Sequence, residues 1–316
     1  MKWFVTRRVL WTVFAAWLFL SATFFAIALT PDPNKNMLRF GVMFSGGSEA
    51  QQEQVVEQYE EMRGLDEGLV KRYTDWIVGY ATLDWGYSFV YERPVIQVLQ
   101  DRLPVTMAYL IPAILLASLL SVVTGIFGAI TQGSILDRLA NGVSYLGLGL
   151  PAFFTATLLQ RWFEIPRVNP ALGYLDPQNL TALAFPAFVL GVNLYAVQAW
   201  AIRAEAIEIV PAEFVKTLRA NGAGTFRLGR HVLRNAISPV FALLVSELLI
   251  VLFVGVYVVE LVFGIPGAAE ASFRAFKDRD IGLVIATIVL PVAVALLANL
   301  VLDVISAYLD PRVSQE

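Results

Sequence analysis

The segment AIRAEAIEIVPAEFVKTLRANGAGTFRLGRHVLRNAISP, residues 201–239, is a polar island between two apolar runs that are each long enough to cross a membrane. The island carries six cations and three carboxylates. Because charged side chains are costly at bilayer depth, the island lies outside the bilayer and its flanks lie within it. Taken alone, the cations fit either a membrane-topology signal or a docking surface.

The order of residues inside the island predicts a helix, a turn and a second helix. Pro211 can open the first helix. Phe214, Val215 and Leu218 form its apolar stripe. The sequence NGAG at residues 221–224 supplies the residue types that most readily take the left-handed conformation at a helix end. The second helix carries apolar residues between its arginines and runs into the next apolar segment.

The composition is that of a polytopic membrane protein. The chain has 316 residues, 57% of them hydrophobic and 16% charged, with a mean hydropathy of +0.65. The lack of cysteine excludes disulfides, thiolate metal sites and cysteine nucleophiles, and a single histidine excludes a histidine-rich metal cluster. A net charge of −3 argues against nucleic-acid binding.

Two motifs in the island resemble the cytoplasmic coupling loop of binding-protein-dependent ABC importer permeases. EFVKTLRANG at residues 213–222 is similar to (E/D)-(Y/F)-V-x-T-A-R-A-x-G of the dipeptide, oligopeptide and nickel subgroup. RHVLRNAISP at residues 230–239 is similar to R-H-x-L-R-N-A-x-x-P of the same subgroup. Lys216, Thr217 and Leu218 stand where the wider superfamily has Glu-Ala-Ala. The resemblance implies a type I ABC importer permease fold that is coupled to a separate ATPase through this loop.

The resemblance assigns the coupling role to both predicted helices and the turn between them. Phe214, Val215 and Leu218 are expected to be buried anchors in a groove of the ATPase, with rim cations fixing the register. Gly222 would set the angle between the helices. His231 would meet the ATPase, or it is a plain interface residue. The predicted coupling residues are Glu213, Phe214, Val215, Thr217, Leu218, Arg219, Gly222, Arg230, His231, Arg234 and Asn235.

Six apolar runs predict an all-α polytopic membrane protein with six transmembrane helices. The first run of 21 uncharged residues matches the roughly 30 Å of a bilayer core at 1.5 Å per residue. The alternative for this run is a cleaved signal peptide, but its length favours a retained helix. The runs lie at residues 9–29, 105–130, 139–159, 180–200, 239–259 and 281–308.

Residues 30–104 form a long acidic loop, with twelve Asp and Glu against seven Lys and Arg. This acidity reflects a salt-rich habitat or simply an acidic outer domain. Apolar residues recur from Leu65 to Tyr80 at intervals of three to four and predict one amphipathic helix, which lies on the membrane surface or on a neighbouring subunit. LDWGYS at residues 83–88 resembles part of the outer loop of the same permeases, while the aromatic residues could equally serve packing alone.

Two further features follow the island. ELVFGIPG at residues 260–267 resembles the outer re-entrant turn of the family, so Glu260, Gly264, Pro266 and Gly267 are expected at an outer gate or in contact with a binding protein. The generic alternative is an exposed loop. Glu247 is a carboxylate inside the fifth run, and its cost at membrane depth requires that it line the translocation path or pair at a helix interface.

Cations before the first run and in the island place both on the cytoplasmic side, so both termini are cytoplasmic and the long acidic loop is outside. The predicted divisions are 1–103 for the first helix and outer loop, 104–309 for the permease core with its coupling loop at 203–236, and 310–316 for a cytoplasmic tail. The location implied by the resemblance is the plasma membrane.

The resemblance implies a second permease subunit, two ATPase subunits and an extracytoplasmic substrate-binding protein as partners. No cofactor or metal is expected in this chain, because no Gly-x-x-x-x-Gly-Lys-Ser/Thr motif occurs and the partners would bind ATP and Mg²⁺. The substrate class is peptides or related small solutes. An ion-coupled secondary transporter is the rival, but inverted repeats are not evident and only Glu247 is a clear midplane site.

Overall fold

The computed structural model describes residues 2–62, 64–169, 171–173 and 176–309, so the predicted tail at 310–316 lies outside the described residues. Within these ranges the chain is almost entirely helical, with one short hairpin. The helices are α1 Lys2–Ala28, α2 Pro33–Phe44, α3 Glu49–Met62, α4 Leu69–Thr82, α5 Val95–Ile130, α6 Ile135–Gly149, α7 Ala152–Trp162, α8 Pro177–Ile209, α9 Glu213–Ala220, α10 Thr225–Ile250, α11 Val256–Phe263, α12 Ala268–Lys277 and α13 Ile281–Leu309. The hairpin joins β1 Tyr87–Ser88 to β2 Arg93–Pro94 in antiparallel register.

Five helical stretches are long and apolar enough to cross a membrane, and a bent pair makes a sixth if it counts as one span. This confirms an all-α polytopic membrane protein. The five are Trp3–Ala28, Val95–Ile130, Pro177–Ile209, Pro239–Phe263 and Ile281–Ile305.

The third apolar run is not the straight helix over 139–159 that the sequence predicted. It consists of α6 and α7, which meet at an angle of 94°. Pro151 explains the break, because proline disfavours helical backbone at the residue before it and lacks the N–H that would continue the ladder. Leu150 is accordingly extended, with φ −103° and ψ 107°. The third span is therefore either a broken span or a re-entrant loop.

Two spans extend well past the bilayer, which shifts the predicted boundaries. α5 has 36 residues and α8 has 33, about 50 Å or more at 1.5 Å per residue. The division at residue 104 therefore falls inside α5, which starts at Val95. Likewise, residues 203–209, predicted as the start of the coupling loop, continue α8 as helix.

The second helix of the island and the fifth span form one continuous helical stretch from Thr225 to Phe263. Pro239 lies inside α10, and a π-helical turn at Val251–Gly255 joins α10 to α11. Because α9 packs at the start of this stretch and α12 follows its far end, the two short helices mark opposite ends of the bundle. We call these the α9 end and the α12 end.

The acidic region between α1 and α5 holds three helices and the hairpin, rather than the single amphipathic helix that the sequence predicted. The predicted helix corresponds to α4, which begins at Leu69, after Leu65. The hairpin is fixed to α13 through Asp280, which is buried and accepts hydrogen bonds from Ser88 Oγ at 2.5 Å and Val90 N at 3.1 Å. The first and last spans also pack together, with an Arg8–Asp303 ion pair of 3.2 Å.

Candidate functional site

Helix α9 is short but well defined by its sequence. Glu213 in the first turn and Arg219 in the last complement the helix dipole. Val215 has no exposed surface and belongs to a hydrophobic cluster with Ile126 of α5 and Ile202 of α8. The apolar stripe of α9 therefore docks onto the ends of the chain's own spans.

This packing corrects the prediction that Phe214, Val215 and Leu218 all anchor an ATPase. Val215 is fully buried inside the permease, and Leu218 is partly buried against the same cluster. Phe214, on the adjacent face, is 38% exposed. A side chain that already fills the core of its own subunit cannot also fill a partner's groove, so only Phe214 of the three is available as an anchor.

The turn after α9 is a two-bond helix end built on glycine. Ala223 N donates to Leu218 O at 3.0 Å, and Gly222 N donates to Arg219 O at 2.9 Å, the pattern of a Schellman motif. Gly222 has φ +76°, which confirms the positive φ expected at this position. Any other L-residue there would be strained, although the space around the glycine is open.

The start of α10 continues the same division between buried and exposed faces. Leu228 and Val232 are buried in the cluster that holds Val215. Phe226 is 79% exposed and stacks at 6.5 Å on Phe127 of α5. Phe226 is one of the apolar residues of the second predicted helix and was not among the predicted coupling residues, because its exposure depends on how α10 meets α5.

The predicted rim residues lie around these two phenylalanines. Arg219, Arg230 and Arg234 are exposed and make no ion pair with the described part of the chain. His231 is half-buried, and Asn235 is exposed and donates to the His231 carbonyl at 2.8 Å. Glu213 and Thr217 are exposed. Together these residues form a basic surface with two exposed aromatic rings.

A buried ion pair that sequence reasoning missed supports the α9 end. Arg203 of α8 donates to Asp137 of α6 through Nε at 2.7 Å and Nη2 at 3.1 Å. Asp137 is only 4% exposed and also accepts from Gly133 N and Asn141 Nδ2, each at 2.9 Å. A Cβ on Gly128 would lie 2.8 Å from Asp137 Oδ1, so glycine allows α5 to approach.

Glu247 lies in α10, half-buried and one turn before the π-helical segment. Its carboxylate has no hydrogen bond or ion pair with the residues that the structure describes, so the predicted structural pairing is not found within this part of the chain. π-Helical turns often accompany functional sites, since they re-aim the side chains around them. The position remains a candidate for the translocation path.

Glu260 is fully buried, which gives it a positioning role in place of the surface contact that the sequence predicted. Its Oε1 accepts from Thr106 Oγ1 at 2.5 Å and Tyr109 Oη at 2.9 Å, and its Oε2 accepts from Glu270 N at 2.8 Å. Thr106 Oγ1 in turn accepts from Ala268 N at 2.9 Å. The carboxylate therefore joins α5, α11 and the start of α12.

The turn beside Glu260 explains the glycines of the motif. Gly264 ends α11 with φ +65° and is exposed. Gly267 is buried, and a Cβ on it would meet the Glu260 carboxylate at 2.1–2.6 Å. Pro266 lies between them and is half-buried. The turn thus presents Gly264 and Pro266 outward while Gly267 and Glu260 hold it in place.

A set of charged side chains also covers the α12 end. Glu270 contacts Arg102 at 3.4 Å and Arg274 at 2.7 Å, so it bridges α5 and α12. The charge of Glu270 raises the pKa of Arg274 above its ordinary value. The turn at residues 264–267 is consequently held from both sides, by Glu260 beneath it and by Glu270 at its rim.

An all-helical bundle with several candidate membrane spans places this chain in the class of multi-pass membrane proteins. Residues 121–315 match the family described as the binding-protein-dependent transport system inner membrane component. Because the match covers more than half of the chain, the protein belongs to this family of ABC importer permeases. Family membership decides against the ion-coupled secondary transporter.

Relatives are similar over most of their length. The dipeptide transport system permease protein DppB of Bacillus subtilis is 28% identical over 273 residues, 85% of each chain. The metal-staphylopine import system permease protein CntB of Staphylococcus aureus is 22% identical over 299 residues, 94% of each chain. A putative peptide transport system permease protein of Brucella abortus is 27% identical over 82% of this chain and 85% of the relative.

Proposed function

We propose that this chain is the permease subunit of an ATP-driven importer of peptides or related small solutes, and that it transmits the closure of a separate ATPase through α9 and the start of α10. One observation carries the coupling role: a rigid helix–turn–helix at the α9 end buries one face in its own subunit and leaves a basic, aromatic face free. The peptide class rests on the named relatives.

Phe214 and Phe226 are the proposed anchors in the ATPase groove. Aromatic side chains supply large contact area in such interfaces, and rim arginines add orientation and association rate. Because Val215 and Val232 fix α9 and α10 to α5 and α8, a push on the aromatic face moves the ends of these spans as one body. The Asp137–Arg203 pair extends that body to α6.

The remaining parts of the importer are expected to come from partners. ATP and Mg²⁺ would be bound by two ATPase subunits, since this sequence has no P-loop motif. A second, similar permease would complete the translocation path, and a substrate-binding protein would dock at the α12 end, where Gly264 and Pro266 are accessible. Both termini and α9 are proposed to be cytoplasmic because of the cations near them.

Topology is the first test. A cysteine-free chain accepts single cysteines as labels, so Gln58→Cys in α3 and Arg219→Cys in α9 can be probed with a membrane-impermeant maleimide. We expect Gln58→Cys to be labelled in intact cells and Arg219→Cys only after permeabilisation. Labelling of both from the same side would contradict the proposed coupling role.

Copurification tests the docking surface. Phe226→Ala should lower the yield of ATPase that copurifies with the tagged permease by about tenfold or more, since interface hot spots cost 2 kcal/mol or more. Phe40→Ala is the matched control, because Phe40 is an exposed phenylalanine of α2 at 56% exposure, remote in sequence from α9. Equal ATPase recovery from the two variants would refute docking through Phe226.

A further inference from the structure

A cavity of about 530 Å³ lies where α4 and the hairpin meet α1 and α13. Its apolar wall comes from the two spans, with Phe24 of α1 and Ile285 of α13 among the lining residues. Its other wall comes from α4 and the hairpin and is aromatic and charged. None of the residues assigned to coupling, to the path or to the outer turn lines this cavity.

The aromatic wall is a continuous row of side chains in ring contact. Trp76 and Tyr80 have ring centroids 4.6 Å apart, and Tyr80 stacks on Trp85 at 5.5 Å. Trp76 also contacts Phe24 at 6.0 Å. Tryptophan and tyrosine concentrate at the level of lipid head groups, where one end of the ring is apolar and the other is wet.

The contacts of α4 with α1 place the cavity at bilayer depth. Trp76 Nε1 donates to Leu20 O at 3.2 Å, and Tyr73 Oη lies 2.8 Å from Ser21 Oγ. These α1 residues precede the end of the helix at Ala28 by about 10–12 Å along its axis. Helix α4 therefore lies beside the membrane span itself, and a molecule in the cavity is at the level of the lipid head groups and upper acyl chains.

The charged wall of the cavity includes a cationic and an anionic side chain that form no ion pair with the described residues. Arg72 is half-buried, and its guanidinium has no hydrogen bond or ion pair with the described residues. Asp75, an exposed residue three positions further along α4, has no ion pair there either, and the same holds for Asp84, which follows α4 and also lines the cavity. By contrast, the Glu67 carboxylate at the rim is already paired with Lys71. The free groups suit a ligand that carries an anion and a cation close together.

We propose that the cavity binds the head group of an aminophospholipid, with its phosphate at Arg72 and its ammonium group at Asp75. Guanidinium is suited to bidentate binding of phosphate, and aromatic faces such as that of Trp76 favour a nearby ammonium group. The acyl chains would leave along the apolar wall of α1 and α13. A bound lipid would then fill the space between the outer helices and the membrane spans.

Native mass spectrometry of the full permease complex tests this assignment. The complex is purified in detergent, supplemented with equal amounts of phosphatidylethanolamine and phosphatidylglycerol, and analysed for retained lipid. The wild type should retain one phosphatidylethanolamine per copy of this chain. Arg72→Ala should lower this retention about tenfold, because charge-assisted hydrogen bonds are lost, whereas Arg72→Lys keeps the charge and should retain most of the lipid.

A second variant tests the ammonium end. Asp75→Asn should remove the preference for phosphatidylethanolamine over phosphatidylglycerol, since only the former carries an ammonium group. Arg39→Ala is the control, because Arg39 is an exposed arginine of α2 that does not line the cavity. If Arg72→Ala prevents assembly, the Asp75→Asn complex alone decides the matter through its lipid preference.

Three results would overturn the proposal. The first is equal retention of the two lipids by the wild type, and the second is unchanged lipid retention in Arg72→Ala together with unchanged lipid preference in Asp75→Asn. The third is displacement of the lipid by a millimolar zwitterionic dipeptide such as alanyl-alanine, which would make the cavity a solute site. Uptake of substrate does not enter any of these readouts, so failure here leaves the importer function untouched.

Discussion

The two ends of the bundle are stabilised by different physics. At the α9 end, apolar side chains such as Val215 and Val232 attach α9 and α10 to the spans, and one ion pair, Asp137–Arg203, ties α6 to α8. At the α12 end, buried carboxylates do this work: Glu260 and Asp280 each accept hydrogen bonds from backbone N–H and hydroxyl groups of distant segments. The α9 end is thus held by apolar packing, and the α12 end is held by hydrogen bonds to Glu260 and Asp280, which we call the clasp.

This difference bears on the proposed role of the α9 end in coupling. Apolar packing is non-directional, so the α9 end can transmit a push as a body while its contacts adjust slightly. A buried carboxylate with several donors tolerates little displacement, because each lost bond leaves an unsatisfied group. The α12 end should therefore resist local distortion and move only together with α5 and α11.

The largest expected effect is at the clasp. Glu260→Ala leaves Thr106, Tyr109 and Glu270 N without their acceptor and should lower the free energy of unfolding by about 3 to 5 kcal/mol. Thermal unfolding of the purified complex measures the loss. Glu164→Ala, which removes an exposed carboxylate after α7, should change stability by less than about 0.5 kcal/mol. Equal melting of the two variants would show that the clasp carries no stability.

The ion pair at the α9 end should have a smaller effect. Asp137→Ala and Arg203→Ala should each destabilise by about 2 to 3 kcal/mol, below the range for a fully buried pair because Arg203 is partly exposed. A double-mutant cycle separates the interaction from the losses of each side chain, and a coupling energy of about 1 kcal/mol or more is expected. Additive single effects would mean that the two side chains act independently.

The sequence predicted the α9 end better than the α12 end because its signals are local. The apolar stripe of α9, the NGAG turn and the continuation of α10 all lie within one 39-residue segment, residues 201–239. Proximity in sequence makes periodicity and turn chemistry sufficient. Periodicity does not show which partner the apolar stripe of α9 faces. The prediction that Val215 contacts an ATPase is therefore wrong, because Val215 is buried within the permease.

The remaining errors come from contacts between distant residues. Thr106 and Glu260 are 154 positions apart, and Asp137 and Arg203 are 66 apart, so no motif spacing connects them. The break at Pro151 did have a local signal, but the length of the apolar run led to the prediction of a straight span. In the acidic region, periodicity predicted α4, whereas α3 is mostly polar and gave no such signal, and α2 was not predicted.

A third effect concerns the turn and should appear in coupling more than in stability. Gly222→Val forces a β-branched residue to φ +76° at a cost of about 1 to 2 kcal/mol, which reorients α9 against α10. Uptake should fall while the complex still inserts and hydrolyses ATP. Gly224→Val is the matched control, because Gly224 has φ −68° and open space around it. Full uptake by Gly222→Val would show that the turn does not need glycine.

The smallest effect on the fold, and the most informative about the path, is expected from Glu247→Gln. A carboxylate at membrane depth would cost several kcal/mol if it faced lipid, so it faces a partner subunit or the path. The glutamine side chain has nearly the same shape as that of glutamate but carries no charge. Because two unit charges about 4 Å apart attract by roughly 4 kcal/mol at an intermediate dielectric, losing part of that attraction should reduce uptake of a cationic peptide about tenfold.

Comparison of substrates separates the two roles of Glu247. Uptake of a neutral peptide by Glu247→Gln should stay within about twofold of the wild type, because a neutral peptide has no cationic side chain that the substitution would leave without a partner. Ser246→Ala, at the adjacent exposed position, controls for disturbance of α10 near its π-helical turn. Loss of assembly in Glu247→Gln would assign the carboxylate to an interface with a partner subunit. Unchanged uptake of both peptides by an intact complex would exclude it from the path.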